Sequence, residues 1–573
     1  MSLRSAWRAN RLFCYSILVG VLGAFGARIF IWMLEWGERI FMGGIAGYIP
    51  PALGVSDPAP VFAGASVWLI PLSTAVGALL CGLLVYTVAP EAEGHGTDAA
   101  IASYHFRGSR VRPIVPLIKA VASSITIGSG GAAGREGPAA QISSGAAAVL
   151  CDVLRVPLAE RRILVLAGMA AGLSAIFRAP LGMAIFASEI LYSGLAFEYE
   201  AIPFTLVASV VAYAVNGLFV GWDTLFLIPP GLTFLRPVEL GGYAILGAAA
   251  GVVGAIEPTI FYGVRDLFAR LRLPRHLKPA VGGILMGLIA MALPQTLATG
   301  FGWVQMALTG GYAGSVLLLL VFAKIVAMSL TISSGGSGGV FGPNVYIGAM
   351  LGGGVVSVLN GWFPGAHFLV PAFVVVGMGA VFSGTARVPV STLIMVVEMT
   401  GGYGLIVPSM LASSVSFIVQ RAIGNRLPYP RLYESQVETR LDSPVHHRRI
   451  ARGVFSLLER PEASQALAGL TPPTLSSLVR FGRSISIHGG RGRVFSWVVP
   501  DAGLLVGRST TGVFAEDGSP LTLVGVVRGG DLLPPDDRGR LQAGDSLILA
   551  GTEEAQLRFF ERHGEGVQRT ITD

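Results

Sequence analysis

The pattern Thr126-Ile127-x-Ser129-Gly130-Gly131-x-x-Gly134-x-x-Gly137-Pro138 returns 205 residues later as Thr331-Ile332-x-Ser334-Gly335-Gly336-x-x-Gly339-x-x-Gly342-Pro343. A second set follows in the same order: Ser174, Arg178, Pro180 and Glu189 match Ser383, Arg387, Pro389 and Glu398 at a spacing of 209. The chain is therefore expected to fold as two related halves, about 60–255 and 256–436. Each copy is a glycine-rich break leading into an apolar helix, with Pro in the first turn, where its missing N–H costs nothing. Matched broken helices in two halves mark inverted-repeat transport proteins, whose sites lie near the membrane midplane.

The surroundings of these breaks are unusually apolar. Only 13% of the 573 residues are charged, against about 25% in an ordinary soluble protein. Apolar stretches succeed one another at 11–35, 62–89, 114–127, 138–153, 163–176, 179–193 and 201–220, then at 240–262, 278–293, 315–333, 343–360, 368–382, 388–400 and 404–423. A polytopic membrane protein with an all-α core follows. Several stretches are too short to span about 30 Å of hydrocarbon, so protein must shield their ends. The basic start Arg4, Arg8, Arg11 runs into a first membrane helix rather than a cleavable signal. Basic clusters at Arg107/Arg110/Arg112, at Arg155/Arg161/Arg162, in 265–278 and in 440–452 read as positive-inside loops. They put both termini in the cytoplasm, and they explain the net charge of +7 better than nucleic-acid binding does. Cys14, Cys81 and Cys151 have no metal-ligand or disulfide spacing.

The two copies differ where chemistry would sit. Arg135-Glu136 in the first half are Val340-Phe341 in the second. One half offers a carboxylate, the other an apolar side chain and first-turn N–H groups, at helix N-termini that attract anions. Two readings of Glu136 are open on the residues alone: a satisfied cap among packing glycines, or a tethered anion on a permeation path. A site without a fixed Lys or Arg to trap the ion suits conduction, which needs weak binding.

Gly134-Arg135-Glu136-Gly137-Pro138 and Gly339-Val340-Phe341-Gly342-Pro343, with Ala179-Pro180-Leu181 through Glu189 and Leu432-Tyr433-Glu434, resemble the motifs of the CLC family of chloride channels and proton–chloride antiporters. The likeness runs from about residue 12 to 433. It implies a homodimer with one pore per subunit, in which Glu136 gates by competing with chloride. Arg135, Gly137, Gly342, the N–H groups of Val340 and Phe341, and Tyr433 would then surround the anion. The family's remaining anion-binding segment, usually GSGIP, reads here Gly94-His95-Gly96-Thr97-Asp98. His95 is expected to line the pore in place of a serine, beside Gly96, and to make selectivity and pH response differ. Asp98, in place of proline, is expected to cap the following helix, with tuning of the inner vestibule as the alternative. At the usual inner proton-relay glutamate the chain has Ile190, with Glu189 one residue earlier. Because Glu189 recurs as Glu398, a structural role suits both, and the missing relay tips the expectation slightly toward a passive channel, with a proton-coupled antiporter as the alternative.

After residue 440 long apolar runs stop. His446-His447-Arg448-Arg449 reads as a hinge within a 441–469 linker. From 470 strand-like runs at 494–499, 521–527 and 546–550, a helix at 553–563, and Gly503, Gly507 and Gly544-Asp545 between them resemble an RCK-type (TrkA-C) domain. The resemblance implies a small α/β cytoplasmic regulatory domain, with a small ligand or none. No enzyme is expected: 128–138 lacks the Gly-Lys-[Ser/Thr] of a phosphate loop, and no catalytic triad or metal cluster is legible. Neither cofactor nor metal is expected. The expected partners are chloride or a similar small anion, possible protons, lipid and a second copy, in a bacterial inner membrane. A secondary transporter of another anion is the rival, and a fluoride exporter is disfavoured by the intact Gly137-Pro138.

Overall fold

The computed structural model describes residues 3–51, 61–62, 67–234, 236–446, 485–487, 492–500, 505–509, 521–528, 531–533 and 540–563. His447, Arg448 and Arg449 of the expected hinge, most of the linker, 470–484 and Gly503 lie outside these residues. Two units form, Met1–Gln436 and Val437–Asp573.

The first unit is helical. Its first half runs α1 (Leu3–Glu38), α2 (Ile70–Val88), α3 (Thr97–Phe106), α4 (Ile114–Gly128), α5 (Glu136–Val153), α6 (Leu158–Phe177), α7 (Pro180–Glu189) and α8 (Ile202–Val220). The second repeats the order with α9 (Glu239–Arg270), α10 (Lys278–Ala292), α11 (Phe301–Leu308), α12 (Gly314–Ile332), α13 (Phe341–Trp362), α14 (Val370–Ala386), α15 (Pro389–Thr400) and α16 (Ile406–Gly424). Each half thus opens earlier than the expected residues 60 and 256, because a long helix, α1 or α9, precedes the repeated breaks and α9 runs across 255/256. A short strand pair, β1 (Tyr48–Ile49) and β2 (Val61–Phe62), follows α1. Among the described residues seven helices are long and apolar enough to cross a membrane. The shorter ones, α7 and α15 among them, pack against one another and their neighbours.

Breaks at membrane depth leave backbone groups that lipid cannot satisfy. The chain pairs them with each other. Gly134 N–H donates to Gly339 O, and Gly339 N–H to Gly134 O, both at 2.6 Å. These residues are equivalent in the repeat and pair antiparallel, so a local two-fold relates the halves where α5 and α13 begin. Gly94 N–H donates to Gly336 O at 3.0 Å, and on the other side Ala298 N–H donates to Gly130 O at 3.1 Å.

The second unit carries a five-stranded antiparallel sheet, β3 (Ile485–Ile487), β4 (Gly492–Val498), β5 (Thr522–Arg528), β6 (Asp531–Leu533) and β7 (Ser546–Gly551), in the order β3-β4-β7-β5-β6. Helix α17 (Glu553–His563) covers one face through Ala555 and Phe559, against Phe495, Trp497 and Leu549. Burial favours a neutral Asp545. The Arg528 fork, 2.7 Å to each carboxylate oxygen, and the Gln542 N–H outweigh it and hold this acid below its usual range.

Candidate functional site

Glu136 opens α5 and is fully buried. Its Oε2 accepts the Gly342 N–H of α13 at 3.1 Å, so the carboxylate of one half rests on the helix N-terminus of the other. Glycine is required around it. A Cβ on Gly134 would lie 2.1 Å from Glu136 Oε2, and a Cβ on Gly137 would lie 1.9 Å from the carbonyl oxygen of His95. The loop before α3 is thereby pressed onto the first turn of α5, bringing His95, Gly96 and Gly137 together.

Tyr433 lies beyond α16 and is also fully buried. The His95 ring meets it edge-on, with centroids 5.3 Å apart, and packs on Phe261 at 6.2 Å. His95 Nδ1, Glu136 Oε1 and the Tyr433 hydroxyl are buried polar atoms without a formed hydrogen bond among the described residues. Such atoms ordinarily face water or an ion. The Phe341 side chain joins an aromatic cluster, 4.4 Å from Phe177 and 4.0 Å from Phe382, and leaves its backbone at the break. Val340 precedes it as the N-terminal flank of α13. Arg135 points elsewhere among the predicted residues: its guanidinium lies 5.6 Å from the Phe301 ring.

The segment carrying Tyr433 is clamped from several sides. Asp98 does not cap its own helix. Its carboxylate accepts the Ser435 N–H at 2.7 Å and the Ser435 hydroxyl, because α3 already starts at Thr97 and turns Asp98 toward that strand of chain. Tyr262 donates to Leu432 O, Arg265 pairs with Glu434 at 2.8 Å, and Gln436 donates to the carbonyls of Ile190 and Ala386. Ile190 is thus buried beside this segment, and its side chain has no proton to carry.

Glu189 and Glu398 form a reciprocal pair. Glu189, at the end of α7, accepts the N–H groups of Val390 (3.1 Å) and Ser391 (2.8 Å) and the Ser391 hydroxyl at the start of α15. Glu398, in α15, accepts those of Leu181 (3.1 Å) and Gly182 (2.7 Å) at the start of α7.

Two lysines belong to no motif singled out in the sequence, although the repeat marks them, being 205 apart inside apolar stretches. Lys119 Nζ donates to Ala92 O (3.0 Å) and Gly94 O (2.7 Å), just before His95. Lys324 Nζ donates to Thr296 O (2.8 Å) and Ala298 O (2.6 Å), just before Thr299. Glu257, a lone carboxylate in the apolar run of α9, is likewise outside every motif.

Comparison with known proteins agrees with the fold. The family model described as voltage gated chloride channel matches residues 77–421. The chain is 30% identical over 371 residues to an H(+)/Cl(-) exchange transporter ClcA of Cronobacter sakazakii, covering 63% of this chain and 79% of that one. It is 31% identical over 319 residues to a protein of Ralstonia nicotianae provisionally named as a ClcB-like chloride channel protein, covering 55% and 74%. In fold it is similar to a CLC-type fluoride/proton antiporter (TM-score 0.63, 20% identity, 77% of this chain and 100% of that one). A slow cyanobacterial Cl-/H+ antiporter is similar as well (TM-score 0.60, 22% identity, 74% and 95%). With its paired breaks, its Gly134-Arg135-Glu136-Gly137-Pro138 turn and a family match over more than half its length, this polytopic membrane protein belongs to the voltage gated chloride channel (CLC) family.

Proposed function

We propose that the chain exchanges chloride for protons across a bacterial inner membrane, one pathway per subunit of a homodimer, with Glu136 as the group shared by both ions. The observation that carries this is the Glu136 carboxylate seated on the Gly342 N–H, at the helix N-terminus where an anion would bind. Charged, it holds the position against chloride. Protonated, it loses its attraction to the helix end, swings away and leaves the first-turn N–H groups of α13, including those of Val340 and Phe341, to the anion. Tyr433, His95 and Gly96 would complete the anion's surroundings from the other side, and Arg135 adds positive potential behind Glu136.

Ile190 favoured a passive channel in the sequence. Relatives named as exchange transporters weigh the other way, and exchange is the reading adopted. The test uses proteoliposomes with an outward chloride gradient at equal pH. Uphill proton uptake is expected in the wild type. Glu136→Gln should abolish that uptake and any pH gating while chloride efflux continues. Chloride efflux without proton movement in the wild type would establish the channel instead. The basic clusters beside the apolar stretches support cytoplasmic termini, and the strand and Gly544-Asp545 pattern supports an RCK-like regulatory domain as the C-terminal unit.

A further inference from the structure

Glu257 is fully buried in the middle of α9, at the residue before Pro258, and no step proposed above uses it. Its Oε1 accepts from Asn344 Nδ2 at 2.7 Å, and its Oε2 lies 3.2 Å from the Thr385 hydroxyl. No Lys, Arg or His among the described residues forms an ion pair with it; the side chains acting on it are those of Asn344 and Thr385. An unpaired carboxylate buried in a membrane protein is costly and ordinarily functional.

Three observations give it a role. Asn344 stands two residues after Gly342, so Glu136 and Glu257 rest on the same first turn of α13, one on the Gly342 N–H and the other on the Asn344 amide. The Thr385 hydroxyl has one proton and two acceptors in reach, Val381 O at 3.0 Å and Glu257 Oε2. It can donate to a charged Glu257, or donate to Val381 and accept from a neutral one, so the site holds either protonation state without an orphaned donor. Asn344 Oδ1, Glu136 Oε1 and the Tyr433 hydroxyl are each buried without a formed hydrogen bond among the described residues, so each has hydrogen-bonding capacity left for water.

We propose that Glu257 is the inner proton station of this protein, taking the place that Ile190 leaves empty. A proton arriving from cytoplasmic water adds to the Glu257 carboxylate. It then passes through water to the Glu136 carboxylate, regenerating charged Glu257, and leaves Glu136 on the outer side. This rests on the exchange reading above.

The experiment is the same chloride-driven proton uptake, on the full chain in proteoliposomes. Glu257→Gln keeps an acceptor for Asn344 but cannot carry a proton. Its proton-to-chloride ratio is expected to fall by more than about tenfold while chloride efflux holds near the wild-type rate. Ile190→Glu in that background is expected to restore coupling. Thr385→Val, which removes the hydroxyl but not the carboxylate, is a second reporter and should lower the ratio if Glu257→Gln does not fold. An unchanged ratio in Glu257→Gln, or in Thr385→Val where that is the variant read, overturns the proposal. So does a parallel fall of both fluxes, since it would leave Glu257 only as a clamp between α9, α13 and α14. A wild type that moves no protons overturns the exchange reading and this station with it, a result distinguishable from a coupled wild type with an unaffected variant.

Discussion

At the scale of single residues the candidate site is governed by what cannot be there. A Cβ on Gly137 would meet the His95 carbonyl with no rotamer to relieve the overlap, because a Cβ is fixed by the backbone and so is its neighbour. Gly137→Ala is therefore expected to push the loop before α3 off α5 and abolish chloride efflux. Gly241→Ala, where a Cβ would meet nothing within 4 Å, should be silent. Flux and gel-filtration profiles of the two variants check this. The sequence made Gly137 legible through the repeated motif. It did not make Asp98 legible, because a carboxylate in a helix's first turn reads as a local cap. Its actual partner, Ser435, lies 337 residues away, and no local pattern encodes so distant a contact.

Elements were legible in proportion to their apolar length. Each of the long stretches appears as a helix, most within a few residues of the expected bounds, although α1 starts eight residues before its expected start, α2 eight after, and α9 ends eight residues beyond its expected end; α3 and α11 were not anticipated. They are 10 and 8 residues long: α3 mixes Thr, Asp, Ser and His into its faces and forms no apolar run, while α11 is apolar but only two turns long. The repeat could have revealed them, since they occupy equivalent places between α2 and α4 and between α10 and α12. The short helices α7 and α15 depend on each other's carboxylates, which supply acceptors for N–H groups that a helix start leaves unpaired. Glu189→Ala is expected to cost about 1–3 kcal/mol of stability. Glu398→Ala should cost less, since its carboxylate takes two hydrogen bonds instead of three and is partly exposed. Thermal unfolding in detergent would rank them. Neither variant that folds should change the proton-to-chloride ratio; a loss of coupling in Glu189→Ala would make that residue part of the proton path.

The whole membrane unit is one frame used twice with different side chains at its centre. Equivalent glycines pair across the two-fold, equivalent carboxylates bind opposite helices, and equivalent lysines hold the loops that precede α3 and α11. What differs is Glu136 against Phe341 and His95 against Thr299, so the halves share a scaffold and divide the chemistry. The lysines separate the two contributions. Each ammonium donates to two carbonyls, and Lys→Met at either position leaves those acceptors without a partner at a cost of about 1–3 kcal/mol. Because the geometry is repeated, Lys119→Met and Lys324→Met are expected to lower stability to a similar degree. Their effects on transport should part. Lys119 holds the carbonyl before His95, so its loss should weaken chloride binding, read by calorimetric titration. Lys324 holds the loop of Thr299, whose methyl crowds the position Glu136 reaches at Gly342, and it also bears electrostatically on Glu136. Its loss should change the pH dependence of flux more than chloride affinity. Equal effects of the two variants on affinity and on pH response would mean that the lysines act only as symmetric struts, and that the division of chemistry ends at the four side chains in the centre.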